Sequence, residues 1–392
     1  MLNTSFSPWP SFSEEEADRA REIILSNKVN YWTGQECRNF EKEFSAWAGV
    51  QYAVAVANGT VALDLALKAL EIGPGDEVIV TSRTFLASVS SIVNCGATPV
   101  FADVNCDSQN IDAETIFPVL SERTKAIICV HLAGWPCDMD PIMDIAKQFG
   151  LKVIEDCAQA HGASYKGRPV GSIGDVGAWS FCQDKIMTTA GEGGMVTTND
   201  RELWSRMWSY KDHGKSWEAV YERSHEPGFR WLHEGFGTNW RMLEVQGAIG
   251  RIQLKRMPQW HAKRRANAER IWACARALPG LRVPTVPKDI VHAAYKCYVF
   301  IEAAHLKEGW SRDRIITEIL DQGVPCYSGS CSEVYLEKAF DGTGWQPAQR
   351  LPVAKELGET SIMFLVHPTL SSEEIVKTCQ ALENVMRQAC RS

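Results

Sequence analysis

Short, nearly uninterrupted apolar runs separated by amphipathic stretches dominate the first half of the chain. The runs at 52–56, 77–81, 98–103, 126–131, 152–156, 177–181 and 194–198 each have strand length. Their lack of polar alternation predicts strands buried on both faces, as in a parallel sheet. The intervening segments read as crossover helices. Ser13 and Glu16 make a capping box that opens a helix over 14–26. Val61, Leu65 and Ala69 fall on one face of a helix over 60–70. Pro141 sits in the first turn of a third helix ending at 149, where its missing N–H costs nothing. Gly73-Pro74-Gly75-Asp76 is turn chemistry ahead of the second strand.

Beyond Asn239 the pattern changes. A helix over 242–257 is predicted to stop at Pro258, with a second over 261–278. Pro279, Gly280, Pro284 and Pro287 mark a linker-like passage. A strand over 295–301 and helices over 311–322 and 371–387 follow. The expected architecture is α/β: a large domain, 1–255, with a mostly parallel seven-stranded sheet covered by helices, and a smaller C-terminal α+β domain, 256–392. A chain of 392 residues agrees with two domains at a prior of ~150 residues each.

Charge narrows the function. Forty-one basic against forty-eight acidic residues give a net charge of -7, which disfavours broad binding to nucleic acid or anionic lipid. The apolar runs fall short of the ~20 residues of a membrane span, and residues 1–10 lack the basic and apolar regions of a leader. Thirteen cysteines, mostly in apolar stretches, without paired zinc-type spacing, point to a reduced, cytoplasmic chain with no metal.

Three local patterns carry chemistry. Asn58-Gly59-Thr60 ends a strand and opens a helix, where amide groups and the helix dipole favour an anion; a plain N-cap and tight turn need the same residues. Asp156, at the end of an apolar strand, lies where α/β folds bind ligands. It suits a protonated heterocyclic nitrogen, or else a cap or salt bridge. Lys185 follows the strand ending in Ser180-Phe181 and precedes Gly191-Glu192-Gly193-Gly194. A lysine there can form a Schiff base with an aldehyde, although most lysines are solvated surface charges. Together the three match the phosphate, ring nitrogen and aldehyde of pyridoxal 5′-phosphate (PLP).

With these residues the chain resembles the DegT/DnrJ/StrS family of PLP-dependent nucleotide-sugar aminotransferases, of aspartate-aminotransferase fold type I. The resemblance covers nearly the whole chain, through Asn58-Gly59-Thr60, 73–80, 155–159, 180–185, 191–194 and 237–242. It implies that Lys185 carries the cofactor in Schiff-base linkage and shuttles the proton, and that Asp156 keeps the ring nitrogen protonated. Gln159 lies near the ring hydroxyl, Phe85 stacks on the ring, and Gly59, Thr60 and Ser180 hold the phosphate. Asn58 stands where the family usually has Ser. Asn239 matches a residue that reaches the phosphate of the partner subunit, which implies a homodimer with shared active sites. Arg83 departs from the usual apolar or aromatic residue and becomes a candidate substrate contact.

His213, Trp231 and Arg241, in an aromatic and His-rich segment over 208–240, are further candidate substrate residues; a dimer-packing loop would need the same residues. The basic stretch 251–265 reads as a solvated helix face, and His367-Pro368 as a turn that can approach the site. The reaction the family implies moves an amino group from L-glutamate to a keto group of a nucleotide-linked sugar. A 4-keto-6-deoxyhexose such as UDP-4-keto-6-deoxy-GlcNAc would feed surface polysaccharide or lipopolysaccharide synthesis. The alternatives are a cyclitol aminotransferase of scyllo-inosose type, a PLP-dependent sugar dehydratase and, outside enzymes, a PLP-binding regulator. The lysine favours transamination, because relatives that dehydrate carry His in its place.

Overall fold

The computed structural model describes residues 6–391; the first five residues of the stretch read for a leader lie outside it. The seven apolar runs form seven strands: β1 (Tyr52–Val56), β2 (Glu77–Thr81), β3 (Thr98–Ala102), β4 (Thr124–Val130), β5 (Lys152–Asp156), β6 (Val176–Ser180) and β7 (Gly194–Thr198). They pair in the order β1-β7-β6-β5-β4-β2-β3. Only β7 runs against its neighbours, pairing antiparallel with both β1 and β6. Every residue of β2, β6 and β7 is buried, which is why their sequences do not alternate. All the other strands point one way, so the chain leaves β1, β5 and β6 from the same end of the sheet, the C-terminal ends of the parallel strands.

The small C-terminal unit is an antiparallel sheet of Leu281–Arg282, Cys297–Ile301, Ser361–Phe364 and Cys326–Tyr327. Helices Arg312–Asp321 and Ser372–Ala389 cover it through Ile315, Ile319, Leu382 and Val385. Ser371 and Glu374 cap the latter helix as a reciprocal box. No helix of the described residues is long and apolar enough to cross a membrane, and all thirteen cysteines are free thiols.

One expectation is corrected. The two helices read around Pro258 are a single helix of 33 residues, Glu244–Arg276, with Pro258 inside it. An interior proline costs about 3 kcal/mol. Leu254 and Met257 before it, and Ala268, Ile271, Trp272 and Ala275 after it, are buried. At ~1.5–3 kcal/mol for each large side chain, burial on both sides outweighs the break. The boundary drawn at 255 therefore falls within a helix that serves two cores, with Leu254 and Met257 in one and Ala268 and Ile271 in the other.

The basic run on this helix is solvated in part: Lys255 and Arg265 are exposed, Lys263 is half-buried, and the other arginines are paired or buried. Arg251 pairs with Glu36 and Glu43, and Arg256 with Glu15 and Glu16, which docks helices Glu14–Leu25 and Glu36–Ala48. Arg264 is 1% exposed.

Candidate active site

Asn58 caps the helix Gly59–Ala69, its Oδ1 accepting the Val61 N–H at 3.0 Å. The cap reading and the anion-site reading are thus compatible, because the helix start still presents its first amides at that same end of the sheet. A Cβ on Gly59 would lie 2.5 Å from Ser180 Cβ and 2.9 Å from its Oγ, so only glycine lets the helix close on the end of β6. Gly194 is equally constrained, since its Cβ would lie 2.3 Å from the Asn58 carbonyl oxygen. Ser180 Oγ accepts the Cys182 N–H at 3.3 Å, and its own hydrogen remains to donate.

Asp156 ends β5 and is 5% exposed. Its Oδ2 accepts from Ser88 Oγ at 2.8 Å and its Oδ1 from the Ala158 N–H at 3.1 Å. Burial raises its pKa above the usual carboxylate value, although Ser88, the Ala158 amide and the Lys185 charge pull it down. Next to it, His131 Nδ1 accepts the Cys137 N–H at 3.0 Å, so Nε2 carries the proton donated to Glu155 at 3.0 Å. Glu155 also accepts from Gly171, Ile173 and Gly174 amides. Burial acts to raise its pKa, but His131 and these amides hold it below the ordinary value. His131, Glu155 and Cys157 group closely enough for a metal, yet both imidazole nitrogens and both carboxylate oxygens already have these partners.

Gln159 Oε1 accepts the Ala133 N–H at 2.8 Å, so its NH₂ is the end that can donate to a ring hydroxyl. Phe85 is 71% exposed at the start of the helix Ala87–Asn94, an aromatic face open to a flat ligand.

Lys185 lies in the turn after β6 with Nζ 3.9 Å from Asp184 Oδ1 and 5.2 Å from the Tyr295 ring centroid. Asp184 also accepts from the Tyr295 hydroxyl. Burial opposes ionisation of Asp184, but Lys185, the Tyr295 hydroxyl and Lys296 keep its pKa low. On the other side, Trp9 donates its indole N–H to the Lys185 carbonyl and stacks on His367 at 6.1 Å. Burial, with help from Arg264 and Lys296, lowers His367 to about 3. His367 is thus neutral and one contact removed from Lys185. No local sequence pattern points to Trp9, Tyr295, Asp184 or Ser88, whose partners lie far away in the chain or are shared with the turn itself.

Arg83 requires a correction. It is 0% exposed, its Nε donating to Gln109 at 3.0 Å and its Nη2 to Ser361 at 3.0 Å. The guanidinium is a strut between the large sheet and the small one, out of reach of a solvent-borne substrate. Arg241 pairs with buried Asp212 at 2.7 Å. His213 is exposed at a left-handed φ of 59° and Trp231 is 79% exposed beside Phe229. Asn239 is exposed on a segment bridged to Asp212, and the next residue, Trp240, accepts the Ala57 N–H at 2.9 Å. These four residues share one excursion beside the Asn58 turn. Trp208, at the head of the same segment, is buried.

The groups present fit PLP. A glycine-gated helix start with two hydroxyls suits a phosphate, a buried carboxylate suits a protonated ring nitrogen, and an amine stands ready for an aldehyde.

Comparison with known proteins agrees. Residues 10–383 match the DegT/DnrJ/EryC1/StrS aminotransferase family. GDP-perosamine synthase of Escherichia coli O157:H7 is 35% identical over 377 residues, covering 95% of this chain and 96% of that protein. Among solved structures, an aminotransferase from Psychrobacter cryohalolentis is 64% identical with a TM-score of 0.97, covering 98% of this chain and 99% of that one. Spr1654 from Streptococcus pneumoniae, solved in a PLP form, is 26% identical with a TM-score of 0.85, covering 98% and 99%.

Proposed function

The chain belongs to the DegT/DnrJ/EryC1/StrS aminotransferase family, and from that premise we propose that it transfers an amino group from L-glutamate to the keto group of a nucleotide-linked sugar. It is a PLP-dependent aminotransferase. The acceptor we propose is a 4-keto-6-deoxyhexose nucleotide such as UDP-4-keto-6-deoxy-GlcNAc. The relative named GDP-perosamine synthase supports a nucleotide-linked amino sugar, and the one named spore coat polysaccharide biosynthesis protein SpsC supports a product destined for surface polysaccharide.

When bound, PLP supplies a conjugated electron sink at the carbon that exchanges its amino group. In our reading Gly59 and Thr60 amides and the Ser180 hydroxyl hold the phosphate. The Asp156 carboxylate holds a proton on the ring nitrogen, Gln159 donates to the ring hydroxyl and Phe85 covers one ring face against water. Lys185 Nζ would hold the aldehyde end of the cofactor, and its amine would be the group that carries the proton exchanged beside it. Asp184, fixed by Tyr295, orients that amine. The observation that carries the reading is the convergence of the Gly59–Ser180 cradle, buried Asp156 and Lys185 at the C-terminal ends of β1, β5 and β6.

The enzyme acts, in this reading, as a cytoplasmic homodimer. Asn239 and the exposed aromatics Phe229, Trp231 and Phe236 support a partner subunit that covers this excursion.

The test is the visible spectrum of the purified protein with PLP, before and after L-glutamate. Bleaching of the yellow form, and its restoration by one keto-sugar nucleotide, is the expected result. Colour that glutamate leaves unchanged overturns the donor; no colour overturns the cofactor site.

A further inference from the structure

While ionised, Asp156 can only accept hydrogen bonds. The hydrogen between Ser88 Oγ and Asp156 Oδ2, 2.8 Å apart, therefore belongs to Ser88. Ser88 has then spent its only proton, so in its 2.8 Å contact with Thr84 the hydrogen comes from Thr84 Oγ1. The result is a directed relay, Thr84 to Ser88 to Asp156, whose members are at most 5% exposed. Ser88 has a second tie, since its backbone N–H donates to the Phe85 carbonyl at 3.2 Å. One residue thus touches both the loop that carries the exposed aromatic and the buried carboxylate, 68 positions away in the chain.

A carboxylate at this depth, with Ala158 its only backbone donor among the described residues, needs a second donor to stay ionised and to keep one orientation. We propose that Ser88, itself oriented by Thr84, is a positioning residue that holds Asp156 ionised and aimed for the ring nitrogen of PLP while holding Phe85 in register with it. The proposal rests on the assignment of Asp156 to the ring nitrogen. It adds two residues to the cofactor site whose side-chain hydroxyls bear on one atom of the ligand only, since the tie to Phe85 runs through the Ser88 backbone.

That selectivity is the test. Binding of PLP to the apoprotein is compared with binding of the analogue in which a C–H replaces the ring nitrogen, for the wild type, Ser88→Ala, Thr84→Val and Asp156→Asn. Loss of a hydrogen bond to a charged group predicts a roughly tenfold or larger rise in the PLP Kd for Ser88→Ala, with the analogue Kd unchanged. Thr84→Val, which keeps the side-chain shape, should shift in the same direction by less, and decides the matter if Ser88→Ala does not fold. Equal losses for both ligands, or no loss for either, overturn the relay, because a merely structural defect does not distinguish nitrogen from carbon. Asp156→Asn separates the premise: if it also treats the two ligands alike, the assignment of Asp156 fails; if it discriminates and the hydroxyl variants do not, only the relay fails.

Discussion

Trp9 donates its indole N–H to the backbone carbonyl of Lys185 at 2.8 Å, across 176 positions of sequence. The turn bearing the reactive amine is thereby pinned by the N-terminal segment, and Trp9 is in turn packed against Trp260 and His367. Trp9→Phe keeps most of the packing and deletes the bond. It should lower stability by ~0.5–1.5 kcal/mol and reduce kcat more than the KM of either substrate. Urea denaturation and steady-state kinetics check both; an unchanged kcat would show that the pin serves folding alone.

Lys185→Ala should abolish turnover, a loss of roughly 10²–10⁴-fold from proton transfer alone, while leaving the melting temperature of the apoprotein close to wild type. Among the described residues the amine makes one long ion pair, to Asp184 at 3.9 Å, and lies 5.2 Å from the Tyr295 ring centroid, so no short hydrogen bond is lost. Residual amino transfer near the wild-type rate would move the chemistry to another amine.

Gly59→Ala forces a Cβ to 2.5 Å from Ser180 Cβ. The helix start must back away from β6, which opens the phosphate cradle. The expected outcome is at least a roughly tenfold rise in the PLP Kd, equivalent to about 1.4 kcal/mol, measured by titration of the apoprotein. Binding of wild-type strength would mean that the phosphate lies elsewhere.

Arg83→Lys cannot serve Gln109 and Ser361 together. It should cost roughly 1–3 kcal/mol of stability, with the KM for the sugar nucleotide essentially unchanged. A large rise in that KM at unchanged stability would restore Arg83 to the substrate site.

Glu155 gives the pH prediction. Its folded pKa lies below the ordinary value of 4.5, so the ionised form is favoured by folding. The stabilisation is complete above pH ~4.5 and is lost as the pH falls through the lower folded pKa. Glu155→Gln should be less stable than wild type at pH 7 by roughly 1.5–3 kcal/mol. The gap between them should close as the medium is acidified. A gap that is constant with pH would mean that packing, and not charge, is at stake.

The legible part of this protein is the part written in local grammar. Asn58, Asp156 and Lys185 each end or closely follow a strand, inside short motifs that can be read without knowing any distant contact. The strands were readable for the same reason, since unbroken apolar runs report burial on both faces. What escaped depends on distant contacts. Tyr295 meets Asp184 across 111 positions and Arg83 meets Ser361 across 278. No pattern around Arg83 says that its charge is inside. Pro258 misled because a local rule worth about 3 kcal/mol met burial on both sides that outweighed it.

The helix through Pro258 also limits how this chain can be divided. At 1.5 Å per residue its 33 residues span ~50 Å and carry side chains of two separate cores. A gene cut at codon 255 yields two fragments, each ending in an amphipathic stub whose apolar side has lost its continuation. Neither half is a transplantable module. Fusions, truncations and split-protein designs should leave this beam whole and make their cuts in exposed loops.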